Sequence, residues 1–316
     1  MKNQTGDHLS PRLAIKIDVD TLEGYLRGVP ALLEVLADFE VRASFFLALG
    51  PDNSGKAVFR VFRHQGFLAK MLRTRAPAIY GIKTMLYGTL LKAPLIGAAA
   101  PEILPRIAAQ GHEVGLHGYD HVRWHDHLFD LTREGVAREI SLAQETFTAL
   151  LGWPARSFAA PGWQCSRESR EALAARGFLY ASDTRGRAPY FPRFGERVLP
   201  MLEIPTTLQT LDELLGLDGC LPQDFTRLVF KRLEASSPQV LTVHAEMEGG
   251  PFLREFANLL HQGRDLGVEF FRLEDWAREL LLNPQDLPVS RVESIRLPGR
   301  AGRVSGQGPR EGRSPW

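Results

Sequence analysis

The stretch Gly111-His-Glu-Val-Gly-Leu-His-Gly-Tyr-Asp-His121 decides which fold and which chemistry this sequence predicts. Five of the nine histidines fall within residues 112–127. Residues 114–116 form a short apolar run, and a strand that ends there would lead into a first helical turn. His117 and His121 stand four residues apart, so both imidazoles would share one face of that turn and could reach one ion.

A carboxylate is the usual third ligand beside two histidines in a catalytic metal site, which also keeps one position open for water. The run Ile15-Lys-Ile-Asp-Val-Asp20 supplies a candidate, because it predicts a buried strand with Asp18 and Asp20 at its C-terminal end. Polar or special residues also follow two later predicted strands, at Pro161-Gly162-Trp163 and at His244. The sequence therefore predicts that several strand ends meet at one site.

The order of the predicted elements indicates an α/β fold. Strands at 13–17 and 43–49 flank a helix over 29–39, and strand and helix patterns then alternate as far as residue 282. Repeated βα units with polar residues at strand ends predict a distorted TIM-like (β/α) barrel, whose active site lies at the C-terminal ends of its strands. We expect a flexible N-terminus over 1–12 and a single domain over 13–282.

Composition narrows the class of protein. A formal net charge of +1 argues against a nucleic-acid binder, and two cysteines are too few for a disulfide framework. The polar N-terminus has no apolar segment typical of a secretory signal, and no run of eighteen apolar residues predicts a spanning helix. We therefore expect a cytoplasmic location.

Residues 53–101 interrupt the βα order with a basic and apolar segment. These 49 residues contain no Asp or Glu but eight Lys or Arg, interleaved with apolar side chains. The spacing predicts amphipathic helices over roughly 56–74 and 77–92, an insertion after the second strand that suits a membrane interface with anionic head groups. The alternative is an insertion that only packs on the barrel and keeps its basic face in water.

The C-terminal residues 283–316 differ in composition from the rest of the chain. They contain five Pro and five Gly among 34 residues, with scattered Arg. That composition predicts a disordered basic tail.

The polar residues at the strand ends make a complete set for metal-assisted hydrolysis of an amide. Two histidines and one carboxylate also form the metal triad of Fe(II) oxygenases, although the nearby Asp18 and His244 argue against that reading. A non-catalytic carbohydrate- or lipid-binding protein is a third reading, and it predicts that both residues are dispensable. Each single motif has a structural explanation as well, since histidines at strand ends often serve only as hydrogen-bonding residues.

Four motifs together resemble the polysaccharide deacetylase (NodB-homology) family over roughly residues 13–282. They are Ile17-Asp-Val-Asp20, His117-Gly-Tyr-Asp-His121, Ala160-Pro-Gly-Trp163 and Thr242-Val-His244. Within the family the chain is most similar to deformylases that act on a lipid-linked formamido sugar. It shares with them Gly50-Pro-Asp-Asn53, Ser182-Asp-Thr-Arg-Gly186, His244-Ala-Glu246 and the basic insertion.

The resemblance implies roles for particular residues. Asp20, His117 and His121 would bind a divalent metal (Zn, Mn, Co or Ni), Asp18 would be the general base and His244 the general acid. The family's third-motif Arg is replaced here by Ala159, and we expect Arg185 to substitute for it. Asp183 or Asp212 would orient the acid histidine. Five further side chains would contact the substrate: Trp163, Arg185, Arg73, Arg75 and Glu246.

The implied substrate is undecaprenyl-phosphate-linked 4-deoxy-4-formamido-L-arabinose, an intermediate of lipid A modification in polymyxin resistance. The enzyme would remove its formyl group as a peripheral protein at the inner face of the inner membrane, held there through residues 53–101. The alternative is a deacetylase of another N-acylated sugar or glycan.

Overall fold

The computed structural model describes residues 10–60, 83–233 and 237–316. Twelve strands occur in these ranges: β1 Arg12–Val19, β2 Ser44–Leu47, β3 Glu113–Leu116, β4 Ser157–Phe158, β5 Tyr180–Ala181, β6 Phe191–Phe194, β7 Arg197–Val198, β8 Leu202–Glu203, β9 Gln239–His244, β10 Glu269–Phe271, β11 Pro288–Ile295 and β12 Val304–Arg313.

The α-helices of the described residues are α1 Val29–Asp38, α2 Ile96–Ala99, α3 Ile103–Ala109, α4 His121–His127, α5 Arg133–Leu151, α6 Arg167–Ala174, α7 Leu211–Leu214, α8 Phe225–Phe230, α9 Leu253–Asp265 and α10 Leu273–Leu280. None of the helices in these ranges has the length and hydropathy that crossing a bilayer requires.

Eight parallel strands form the main sheet in the order β10-β1-β2-β3-β4-β5-β8, with β9 also paired to β1. The two ends of this sheet approach each other, because the backbone N–H groups of Thr207 and Leu208, just after β8, both donate to the Val240 carbonyl of β9. The sheet therefore curls into a distorted barrel with helices outside it. This confirms the predicted α/β barrel class.

Apolar burial on both faces of the central strands explains why they occupy the middle of the sheet. β1 and β2 are buried along almost their whole length, the pattern typical of parallel strands covered on both sides. α1 packs Leu32, Leu33 and Leu36 into this core, and Pro30 lies in its first turn, where the missing N–H costs no hydrogen bond. α5 begins after Thr132, whose side chain caps the helix by accepting from Gly135 N.

The insertion is only partly helical where the structure describes it. A 3₁₀ helix runs over Ser54–Phe59, and the prediction for 61–82 lies outside the described residues. The helix expected to continue to residue 92 is wrong from residue 85 onward. Gly88 takes φ +76° and donates its N–H to the Leu91 carbonyl, so the chain turns here.

The expectation of a disordered C-terminal tail is wrong. β11 and β12 pair with each other and, through β6, build a second sheet in the order β12-β11-β6-β7. Val289, Ser290, Val304 and Ser305 are buried there. The Pro and Gly content that indicated disorder instead supplies turns and close packing, since a side chain at Gly306 would collide with Ile295. β11 and β12 form a local hairpin, but β11 also pairs with β6, which lies far away in sequence and which composition cannot reveal.

Candidate active site

Asp20, His117 and His121 come together at the C-terminal edge of the barrel. Asp20 follows β1, His117 follows β3 and His121 is the first residue of α4. Their ligand atoms all lie within 4.8 Å of one another. Asp20 Oδ1 is 3.2 Å from His117 Nε2, and Asp20 Oδ2 is 3.3 Å from His121 Nε2.

The turn between the two histidines is fixed by its own sequence. Gly118 has φ +74°, a conformation that glycine adopts without strain. Asp120 then caps α4, because its side chain accepts from Arg123 N at 3.0 Å and from Asn53 Nδ2 at 2.6 Å. These bonds start the helix at His121 and aim its imidazole at Asp20.

The three side chains fit a divalent transition metal. His117 Nδ1 lies 2.8 Å from the Ala159 carbonyl, which can only accept, so Nδ1 carries the proton. In the neutral ring Nε2 then presents its lone pair to Asp20, whose Oδ1 is buried and has no hydrogen-bond partner among the described residues. A cation between them satisfies both atoms, and a backbone acceptor behind a histidine is typical of metal sites.

The pKa shifts of Asp20 and His121 favour the carboxylate and the neutral imidazole that bind a cation. Burial would raise the pKa of Asp20, but the charges of His121 and His117 lower it well below its ordinary value. Burial lowers the pKa of His121 to about 4. Burial would also lower the pKa of His117, but Asp18 and Asp20 raise it.

Asp18 and His244 face each other on neighbouring strands. They are direct register partners of β1 and β9. Adjacent strands lie about 4.8 Å apart, so both side chains point into the same cavity beside the trio. Asp18 Oδ1 is buried and has no hydrogen-bond partner among the described residues.

Lys16 is the cation that contacts Asp18. It lies two residues before Asp18 on the same face of β1, fully buried, with Nζ 3.3 Å from Asp18 Oδ2 and donating to the Ser182 carbonyl at 3.2 Å. Arg185, expected in this role, instead pairs with Glu213 and lies 4.9 Å from the Trp163 ring centre. The sequence contained the signal, because residues i and i+2 of a strand share a face.

His244 is surrounded by carboxylates. Its backbone N–H donates to Glu248 Oε2 at 2.8 Å. Burial would lower the pKa of His244, but Asp212, Asp20 and Glu248 raise it above its ordinary value. Asp212 has the largest of these charge effects, and of the two aspartates expected to orient this histidine it is the one that lines the same cavity.

A cavity of about 100 Å³ joins these residues. Trp163 forms part of its wall, with its ring edge-on to His244 at 6.4 Å between centres. The lining also includes three side chains for which no role was predicted: Arg60, His125 and Arg300. A signal for His125 existed, since it follows His121 by four residues on α4. None existed for Arg300, which belongs to the segment expected to be disordered.

The other expected site residues lie behind the cavity. Glu246 Oε1 accepts from Asp20 N, Thr21 N and Thr21 Oγ1, so it holds the loop that carries Asp20. Asp183 is fully buried and pairs with Arg170 at 3.0 Å. Arg73 and Arg75 lie outside the described residues.

The barrel, the cluster of one aspartate and two histidines, and the neighbouring Asp18 and His244 fit a metal-dependent amide hydrolase of the deacetylase type. The polysaccharide deacetylase family model matches residues 15–181, and the chain belongs to this family. It is 34% identical to the probable 4-deoxy-4-formamido-L-arabinose-phosphoundecaprenol deformylase of Shewanella sediminis over 94% of each chain. It is 30% identical to the protein of the same name from Wigglesworthia glossinidia brevipalpis, over 89% of this chain and 96% of that one.

Solved structures agree on the fold. A candidate polysaccharide deacetylase from Mycobacterium smegmatis superposes with a TM-score of 0.62 at 19% identity, covering 92% of this chain and 96% of that one. A probable polysaccharide deacetylase from Pseudomonas aeruginosa gives a TM-score of 0.59 at 17% identity, over 85% and 91%.

Proposed function

We propose that this enzyme removes the formyl group from undecaprenyl-phosphate-linked 4-deoxy-4-formamido-L-arabinose. The observation that carries the proposal is the registered pair Asp18 and His244, which face each other beside the Asp20, His117 and His121 cluster. The names of the relatives that match most of the chain support the substrate.

Asp20, His117 and His121 would hold the metal. A divalent cation there lowers the pKa of water and withdraws electrons from a carbonyl oxygen. Zn, Mn, Co and Ni all accept two imidazoles and a carboxylate.

Asp18 and His244 would move the protons. Asp18 Oδ1, which has no hydrogen-bond partner among the described residues, accepts the proton of the attacking water while Lys16 holds Oδ2. The water oxygen bonds to the formyl carbon, and the carbon–nitrogen bond then breaks. The carboxylates around His244 raise its pKa, which favours the protonated ring that would donate its proton to the departing amine. Formate and the free amino sugar result.

The site would work at the inner face of the inner membrane, in lipid A modification. Support comes from the described ends of the 53–101 insertion, where Val58, Phe59, Leu90 and Leu95 are exposed in a segment without acidic residues. Arg73 and Arg75 stay proposed phosphate contacts.

Leu90→Asp combined with Phe59→Asp should weaken co-flotation with anionic vesicles, while Leu266→Asp, an exposed leucine far along the chain, should not. Equal flotation of both would refute the membrane role.

Formate release from the lipid-linked substrate tests the reaction. Asp18→Asn and His244→Gln should each lower kcat by roughly a hundred- to ten-thousandfold, because each removes a proton-transfer group. Asp265→Asn and His261→Ala change exposed residues of the same types and should leave kcat unchanged. Acetate release from an N-acetyl analogue at a higher rate than formate release would instead assign the chain to the deacetylases of other N-acylated sugars.

A further inference from the structure

We infer that Arg60 and Arg300 form an anion subsite at the edge of the catalytic cavity, and that it takes the phosphate of the lipid-linked sugar. The inference deepens the proposed function and rests on it. The two arginines come from opposite ends of the chain, one from the start of the insertion and one from the turn between β11 and β12.

Arg300 is placed over the cavity by the second sheet. Its guanidinium carbon lies 4.4 Å from the centre of the Trp163 ring, and it is part of the cavity lining. Stacking on an aromatic face fixes the plane of a guanidinium and leaves its edge N–H groups available for a ligand.

The turn that carries Arg300 is anchored on both sides. Gly299 has φ +79°, and a Cβ there would lie 1.9 Å from the Glu213 carbonyl oxygen, so the backbones are in close contact. On the other side Gln164 Nε2 donates to the Arg303 carbonyl at 2.7 Å, and Cys165 N donates to Ser305 Oγ at 3.1 Å. The turn is therefore held against the loop that contains Trp163.

Arg60 directly follows the 3₁₀ helix of the insertion and reaches the cavity alongside α4. Its Nε donates to Asp126 Oδ1 at 2.7 Å, while Nη2 is buried and has no hydrogen-bond partner in the described part of the chain. A buried guanidinium nitrogen without an acceptor is costly, and a bound anion would satisfy it. Arg60 also lines a larger groove of about 520 Å³ beside Phe59 and Val122. It thus stands between the catalytic cavity and that groove.

The positive charges of Arg60 and Arg300 act on each other and on His125. Burial lowers the pKa of His125, and the positive charges of Arg60 and Arg300 lower it further. Burial also lowers the pKa of Arg300, and Arg60 adds to this effect although Glu213 and Asp212 oppose it. Two guanidinium groups that line one cavity favour an anion there.

A phosphate suits this arrangement better than a carboxylate. Its tetrahedral oxygens can accept from two guanidinium groups that approach from different directions, and such charge-assisted bonds are strong. The relatives' names also include a phosphate beside the sugar. Asp18 and Asp20 would repel an anion deeper in the cavity, so the phosphate would stay at the edge and the formamide would enter.

The test compares two substrates. Arg300→Ala should lower kcat/KM for formate release from the phosphate-containing substrate by roughly ten- to a hundredfold, mainly by raising KM. The same variant should leave kcat/KM unchanged for the methyl glycoside of the same formamido sugar, which has no phosphate. Arg300→Lys should recover part of the loss. Arg296→Ala, an exposed arginine on the same hairpin, should change neither substrate. Equal losses on both substrates, or no loss on either, would overturn the subsite.

A binding measurement separates this inference from the proposed reaction. Calorimetry measures the affinity of each metal-loaded protein for farnesyl phosphate. The wild type and Arg296→Ala should bind it at least tenfold more tightly than Arg300→Ala does. Farnesol, which has no phosphate, should bind equally to all three proteins. Absence of formate release with this binding pattern would refute the reaction and support the subsite. Farnesyl phosphate binding that is the same in Arg300→Ala as in Arg296→Ala would refute the subsite, whatever the activity.

Discussion

Lys16 shows how one buried side chain can change the reading of a motif. Ala159 leaves the third motif without its usual arginine, and the charge that contacts Asp18 comes from the first motif instead. A fully buried lysine needs a carboxylate partner, and Asp18 is within reach on the same strand face. The cation is thus supplied from β1 and not from β4.

Lys16→Met should lower kcat for formate release by roughly ten- to a hundredfold with little change in KM, because Asp18 loses the contact on Oδ2 but the substrate contacts stay. Lys16→Arg should restore part of kcat. Lys231→Met, an exposed lysine, serves as the control. A loss that appears only in KM, or no rescue by arginine, would contradict the positioning role.

The aspartate beside His244 gives a pH-dependent prediction. Asp212 raises the pKa of His244, and the general acid must be protonated, so activity falls as pH rises through this pKa. Asp212→Asn should therefore move the alkaline limb of the kcat profile to lower pH, by roughly one unit. The exposed Asp218→Asn is the matched control. An unmoved limb in Asp212→Asn would show that Asp212 does not act on the acid.

At the scale of elements, the strand ends carry the site and the turns carry its geometry. β1, β3 and β9 end at the same edge of the barrel, which brings residues 18–20, 117 and 244 together although they are more than 200 residues apart at the extremes. The hairpin of β11 and β12 adds a fourth contribution from the second sheet. Its turn fits only because glycine stands where it meets α7.

Gly299→Ala should destabilise the hairpin and displace Arg300, because the new Cβ would collide with the Glu213 carbonyl. Gly177→Ala is the control, since Gly177 has a similar φ of +74° but no atom near its Cβ position. Both variants should lose about 1 kcal/mol to backbone strain, and only Gly299→Ala should lose more. Chemical denaturation measures the loss of stability, and formate release measures the effect of displacing Arg300. An equal loss of stability in both variants would refute the contact between Gly299 and the Glu213 carbonyl.

At the scale of the whole molecule, the cluster of Asp20, His117 and His121 links distant segments of the barrel. A ligand that binds only the folded state stabilises it, by about 4 kcal/mol at a thousandfold excess over Kd. Zn²⁺ or Co²⁺ should therefore raise the Tm of the wild type and of His127→Ala, an exposed histidine on the same helix. Asp20→Ala should show no such rise in thermal unfolding. A metal-dependent rise in Asp20→Ala would place the ion elsewhere.

The sequence by itself determined the barrel class and the pair His117 and His121, and the family resemblance selected Asp20 rather than Asp18 as their partner. Periodicity and short spacing are local properties, and strand ends in a parallel barrel meet at one edge whatever the loops do. The expected shared helical turn is wrong, since His117 precedes the turn at Gly118 and His121 begins α4. The two residues are only four apart, so their approach needed little tertiary information.

The tertiary structure decided which charges complete the site. Arg300 reaches the cavity only because β11 and β12 join β6, a pairing between segments about a hundred residues apart with little apolar periodicity. Arg185 and Glu246 carry suitable chemistry but lie behind the cavity wall, where buried partners hold them. Pairing across such distances depends on which surfaces remain uncovered after the barrel forms, and composition does not record that.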